Sequence, residues 1–130
     1  VALQLGDPAE AIRQLDTALG IAEVLSIPRL RAEALVRRAR VRAALGEPDL
    51  ALEELALAEA ICEELELRNE WVEAGLLRVE LALGGGDAPA AQAALQDTER
   101  RGEGGHVPDL EVWRARVREA ASGQGARQPA

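Results

Sequence analysis

The sequence is short of the residues from which most cores and most active sites are built. It has two aromatic residues, Trp71 and Trp113, and no phenylalanine, tyrosine or methionine. Its single cysteine, Cys62, has no second thiol in the chain to pair with, which excludes an internal disulfide framework. Runs of alternating β-branched and aromatic residues do not occur, so strand signals are missing. No stretch approaches the roughly 18 consecutive apolar residues of a membrane span, and no signal-peptide pattern opens the chain. Lysine is absent as well: all 15 basic residues are arginine, and 23 acids outweigh them to a net charge of −8. That balance argues against general nucleic-acid binding, which needs a basic footprint.

What remains is alanine, leucine and valine in quantity. At 130 residues and 48% hydrophobic, the chain has the length of one domain and enough apolar material for a core. Alanine and leucine are among the best helix formers, and small side chains let helices approach closely. The composition points to an all-α fold.

Sliding the chain along itself by about 40 residues brings its features back into register. Gly6, Gly46 and Gly86 align, each followed by an acid: Asp7, Glu47 and Asp87. Ala11, Ala51 and Ala91 fall together, as do Leu15, Leu55 and Leu95, and Ile27, Leu67 and Val107. Ala18 matches Ala58, while Thr98 stands where the third small residue belongs. Such a period signals stacked supersecondary units, because a single unit cannot bury its own apolar face. Within each unit, glycine caps one helix in the left-handed conformation and an acid or proline opens the next. This reading gives helices over 9–25, 29–45, 48–66, 70–83, 88–101 and 109–121. Val1–Leu5 reads as the end of a helix whose start is missing, which suggests a piece of a longer protein. The repeat domain covers 1–121, its first repeat truncated, and 122–130 reads as a loose tail. Gly84-Gly85-Gly86 suggests that the preceding helix is two residues short, a slip that would shift which residues share a face.

The run Leu5-Gly6-Asp7 with Ala11, Leu15 and Ala18, repeated as Leu45-Gly46-Glu47 with Ala51, Leu55 and Ala58, resembles the tetratricopeptide repeat. The third copy keeps Ala91 and Leu95, and the period is longer than the family's usual 34 or so. Longer repeats of this kind are similar to those in bacterial signalling and regulatory proteins. The resemblance implies a right-handed α-solenoid of antiparallel helix pairs: about three repeats plus a terminal helix. The first helix of each pair would line a concave groove that holds a protein or peptide partner. It implies a cytoplasmic scaffold, without catalysis or cofactor.

Segment 29–45 is apolar on two sides, with Leu30, Ala34, Val41 and Leu45 on one arc and Ala32, Leu35, Val36, Ala39 and Ala43 on the other. A helix of that kind is sandwiched between neighbours. Two charged strips separate the arcs: Arg31, Arg38 and Arg42 on one side, Arg29, Glu33, Arg37 and Arg40 on the other. By the family's geometry the second strip faces the groove. With the two-residue slip, Trp71 and Arg78 occupy matching places in the next unit and Trp113 and Arg116 in the last. The expectation is an arginine ladder with two exposed indoles, suited to an acidic peptide because the guanidinium fork matches carboxylate and tryptophan anchors interfaces. The competing reading is structural. Residues 47–73 hold ten acids against one base, Arg68, and the arginines can simply pair with Glu53, Glu54 or their neighbours.

Candidates for chemistry are few. His106 sits in a glycine-rich loop with Glu103 and Asp109 near, a poor metal set. Neither serine has a base at recognisable spacing. Cys62 lies among Ala58, Ile61 and Leu65, the setting of a small buried filler. Gly84-Gly85-Gly86 lacks the Lys-Ser/Thr of a phosphate loop. A closed enzymatic bundle would need a buried polar cluster that this composition barely supplies. A further possibility is self-association through an apolar face of Leu3, Leu5, Ile12 and Leu19 at the open N-terminal end.

Overall fold

The first five helices begin at intervals of 20 residues, and four of them open on a proline or a capping aspartate. The computed structural model describes residues 7–103 and 105–127. It contains α1 (Pro8–Val24), α2 (Pro28–Ala44), α3 (Pro48–Leu65), α4 (Arg68–Gly84), α5 (Ala88–Arg101) and α6 (Leu110–Arg127). Proline opens α1, α2 and α3, where its missing N–H would have no intrahelical acceptor anyway. Asp7 and Asp87 cap α1 and α5, each accepting a backbone N–H at 3.0 Å, from Glu10 and Ala90 respectively.

The helix ends repeat as strictly as the starts. Ser26, Gly46, Glu66 and Gly86 all have positive φ, at 53°, 79°, 57° and 73°. After each, a backbone N–H reaches back five residues to an orphan carbonyl: Ile27 to Ala22 at 2.8 Å, Glu47 to Arg42 at 2.9 Å, Leu67 to Cys62 at 2.9 Å, and Asp87 to Ala82 at 3.0 Å. This is the six-to-one bond of a Schellman turn.

The shared turns remove the two-residue slip expected at Gly84-Gly85-Gly86. Gly84 stays in the helix, and Gly85, Gly86 and Asp87 repeat the bonds of Leu45, Gly46 and Glu47 one by one. Only Gly86, at φ 73°, occupies a position that favours glycine, so the extra glycines do not shorten α4. Both α2 and α4 are 17 residues long. The true break comes later. α5 stops at Arg101, and the glycine-rich stretch that follows delays α6 to Leu110. α6 then runs to Arg127, past the end expected at Ala121, so 122–127 is helical rather than a tail. No proline interrupts the hydrogen bonding before Pro129. Residues 1–6, which include the expected helix end at Val1–Leu5, and 128–130 lie outside the described residues.

The chain divides into two compact units, Val1–Ala74 and Gly75–Ala130, with the boundary inside α4. In the first, α2 packs against both α1 and α3. Its Ala32, Ala34, Leu35, Val36, Ala39 and Val41 are buried, so the sandwiched helix expected from the two arcs is what forms; Leu45, assigned to one arc, is exposed. Ala51, Leu55, Ala58 and Cys62 face it from α3. With alanine at so many of these positions, leucine and valine are large enough to fill what is left, and aromatic side chains are not required.

In the second unit, Val79, Ala91, Leu95 and Val117 form the core, with Leu83, Leu110 and Trp113 packed against it. Gly75 carries the close approach. A Cβ placed there would lie 2.3 Å from Thr98 Oγ1. Thr98 is fully buried and donates its hydroxyl to the Ala94 carbonyl at 2.7 Å. The larger residue at the third small position is therefore accommodated by loss of a side chain opposite. The places equivalent by 40 residues in the first unit hold Leu35 and Ala58, the reverse division of volume.

Candidate partner-binding surface

The two charged strips of α2 have different fates. Arg38 and Arg42 turn toward α3, where Glu54 Oε1 accepts from Arg38 Nε at 2.7 Å and from Arg42 Nε at 3.0 Å. Arg38 also reaches back to Asp16 on α1 at 2.7 Å, and Arg42 to Glu47 at 3.5 Å. Glu54 is only 7% exposed, and a buried carboxylate is tolerated because two guanidinium groups share its charge. The hydrogen bond to Glu54 raises the Arg42 pKa above its ordinary value, against a smaller opposing effect of burial. This strip therefore ties α1, α2 and α3 together, as the structural reading anticipated for Glu54.

The second strip stays at the surface. Arg37 Nη2 donates to Glu33 at 2.8 Å, one helical turn away. Arg40 pairs with Glu73 at 3.7 Å, and Arg29 with Glu70 at 3.3 Å, both carboxylates belonging to the first turns of α4. Arg40 Nε and Glu70 Oε1 are buried without a hydrogen-bond partner among the described residues. The face is thus a mixed one, three arginines interleaved with three glutamates. Glu70 and Glu73 were not part of the expected site. Their spacing from the arginines, 41 residues for Arg29–Glu70 and 33 for Arg40–Glu73, is set by where the first turns of α4 come to lie against α2.

The ladder does not continue onto α4. With the slip gone, Arg37 corresponds to Leu77, which is 2% exposed, and Arg40 to Glu80. Trp71 takes the place of Arg31 and Arg78 that of Arg38, both members of the other strip. Trp71 and Arg78 are half-buried and each makes interactions of its own. Trp113 is no exposed indole either. It is half-buried against the core of the second unit, with the Arg116 guanidinium 4.6 Å above the ring centroid, a cation–π contact between residues one helical turn apart. Of the seven expected residues, Glu33, Arg37 and Arg40 come together in the first unit, and Trp113 with Arg116 in the second.

Beyond these, Cys62 is fully buried in the first core, as its helical neighbours suggested. His106 is exposed in the loop before α6, and no group of three or more metal-ligating side chains gathers among the described residues. Among the described residues, no helix is long and apolar enough to cross a membrane.

One surface went unread in the sequence. α3 has a second apolar stripe beside its core face: Leu50, Leu57 and Leu65 are 42%, 52% and 44% exposed, with Ile61 half-buried among them. The steps of seven, four and four residues place them along one side of the helix. That spacing was available, but it is easily merged with the adjoining Ala51–Leu55–Ala58–Cys62 face.

Comparison of the chain with protein-family models, curated proteins and solved structures finds no match in any of the three.

Proposed function

We propose that this chain is an interaction module of tetratricopeptide-like helical repeats that holds a protein or peptide partner and performs no chemistry of its own, within a cytoplasmic regulatory protein. The observation that carries this reading is the surface strip of α2. The side chains of Arg29, Arg37 and Arg40 are 63%, 62% and 42% exposed, although each already has a carboxylate beside it. Ion pairs held this close to water contribute only about 0–1 kcal/mol. A partner's carboxylate can therefore exchange for Glu33 or Glu73, which are 36% and 43% exposed, at small cost, and the guanidinium fork adds geometric selectivity. The preferred partner is an acidic or carboxylate-bearing segment.

The test is selection of peptides from a random display library on the wild type, followed by counter-screening on an Arg37→Glu/Arg40→Glu variant with unchanged helical circular dichroism. The expected outcome is a set of sequences rich in Asp and Glu that the variant no longer retains. Sequences without acidic bias, retained equally by both proteins, would remove the strip from consideration.

Self-association is the second reading, favoured by the exposed end of α1. Ile21, Val24 and Leu25 are 46%, 83% and 62% exposed. The face expected for this role was different: Ile12 and Leu19 are half-buried, and Leu3 and Leu5 lie outside the described residues. Light scattering over a hundredfold dilution series separates the cases. A mass that falls on dilution, and stays monomeric in Val24→Asp, supports it. A constant monomer mass ends it.

A further inference from the structure

We propose that the solvent side of α3 is a docking surface for a basic amphipathic helix of a partner protein, distinct from the arginine strip of α2. Three features of α3 lead there. The first is the stripe of Leu50, Leu57 and Leu65, which runs the length of the helix and is left at the surface. From Leu50 to Leu65 it spans about 22 Å at the usual rise of an α-helix, room for four turns of a partner. Exposed leucines in a continuous line are the mark of a helix-binding face, whereas scattered single ones are ordinary.

The second feature is charge. Residues 47–66 carry eight acids and no base. Glu54 and Glu47 are occupied by Arg38 and Arg42, but Asp49, Glu53, Glu63, Glu64 and Glu66 make no ion pair among the described residues. Glu53 and Glu64 border the stripe by helical spacing, three residues after Leu50 and seven after Leu57. The third feature is position. Glu63, Glu64 and Glu66 stand at the C-terminal end of α3, which has no basic residue in its last turn. Carboxylates there oppose the negative end of the helix dipole. No base among the described residues pairs with them; a cationic partner would.

The chemistry of the occupant follows. A second copy of the chain meeting this face through the same face would set Glu53 and Glu64 against their own equivalents, which charge disfavours. A partner helix with leucines spaced at four and seven residues, flanked by Lys or Arg, satisfies both the stripe and its border.

Two synthetic helices test this with the whole chain, by fluorescence anisotropy. Both carry the same leucine face; one is flanked by lysines and the other by glutamates. The lysine helix is expected to bind, with affinity falling steeply as salt is raised, and the glutamate helix at least about tenfold more weakly. Glu53→Lys/Glu64→Lys should reverse that preference, and Leu57→Ser, at an exposed position, should weaken the lysine helix while leaving the circular dichroism unchanged. Equal binding of the two helices, binding of neither, or loss in Arg37→Glu/Arg40→Glu in place of the α3 variants overturns the proposal. So does a dimer that Leu57→Ser dissociates, since a second copy would then be the occupant.

Discussion

Gly75 and Thr98 are a matched pair, and the match sets a measurable coupling. Gly75→Ala gains helix propensity of up to about 1 kcal/mol, but its Cβ would meet Thr98 Oγ1 at 2.3 Å. Overpacking of this kind costs about 1–3 kcal/mol, so a net loss of up to about 2 kcal/mol is expected in urea unfolding. In a Thr98→Ala background the same change should be close to neutral. An equal loss in both backgrounds would show that the contact is not what limits the site. The Arg38–Glu54–Arg42 cluster behaves differently with pH. The hydrogen bond to Glu54 holds the folded Arg42 pKa above its unfolded value, so its contribution is complete below the unfolded value and disappears only as pH rises through the folded one. Across any ordinary buffer range this guanidinium contributes no pH dependence. The partners of these arginines were the least legible part of the sequence. Glu54 lies 16 and 12 residues from Arg38 and Arg42, and which of the acids in 47–73 would be reached depends on helix rotation that periodicity does not specify.

At the scale of the element, the four left-handed turns are equivalent in geometry but not in residue. Gly46 and Gly86 adopt positive φ freely, whereas Ser26 and Glu66 do so against the steric demand of Cβ, which costs about 1–2 kcal/mol. Part of that is offset by the larger unfolded-state entropy of glycine. Glu66→Gly should therefore stabilise the protein by about 0.5–1 kcal/mol and raise Tm by a few degrees; its side chain makes no ion pair among the described residues to lose. A lowered Tm would mean that Glu66 holds α3 in some other way. These turns also explain how far the elements could be read. Proline at 8, 28 and 48 and aspartate at 7 and 87 announce five of the starts and caps directly, and the starts of α1 to α5 fall within two residues of expectation. The end of α4 falls one residue from its expected place at 83; what failed was the slip in register read from three consecutive glycines, because a Schellman end uses only one. The far end of α6 was misjudged because Gly123 and Gly125 weaken a helix without stopping it.

At the scale of the molecule, six helices among the described residues carry charge unevenly. Residues 1–74 hold 15 acids and 8 arginines, a net of −7, and residues 75–130 hold 8 acids and 7 arginines, a net of −1. The excess negative charge thus lies with α3 and its neighbours, while the exposed arginines of α2 occupy a separate strip of the same unit. On the two proposals above, partners of opposite charge would dock on separate strips of this one unit. The 40-residue repeat was plain in the sequence because spacing and capping repeat with it. The expected arginine ladder fails because it depended on the two-residue slip read from Gly84-Gly85-Gly86; Leu77 and Glu80, at the observed register, close it off.

The α2 strip is proposed to receive a carboxylate-bearing partner. Its most direct test is a titration of one selected acidic peptide against the wild type and Arg37→Glu/Arg40→Glu, at low and at high salt. The account predicts at least about tenfold weaker binding by the variant at low salt, and a wild-type affinity that falls toward the variant's as salt screens the charges. Equal affinity of the two proteins at both salts would contradict it and assign those arginines to the surface alone.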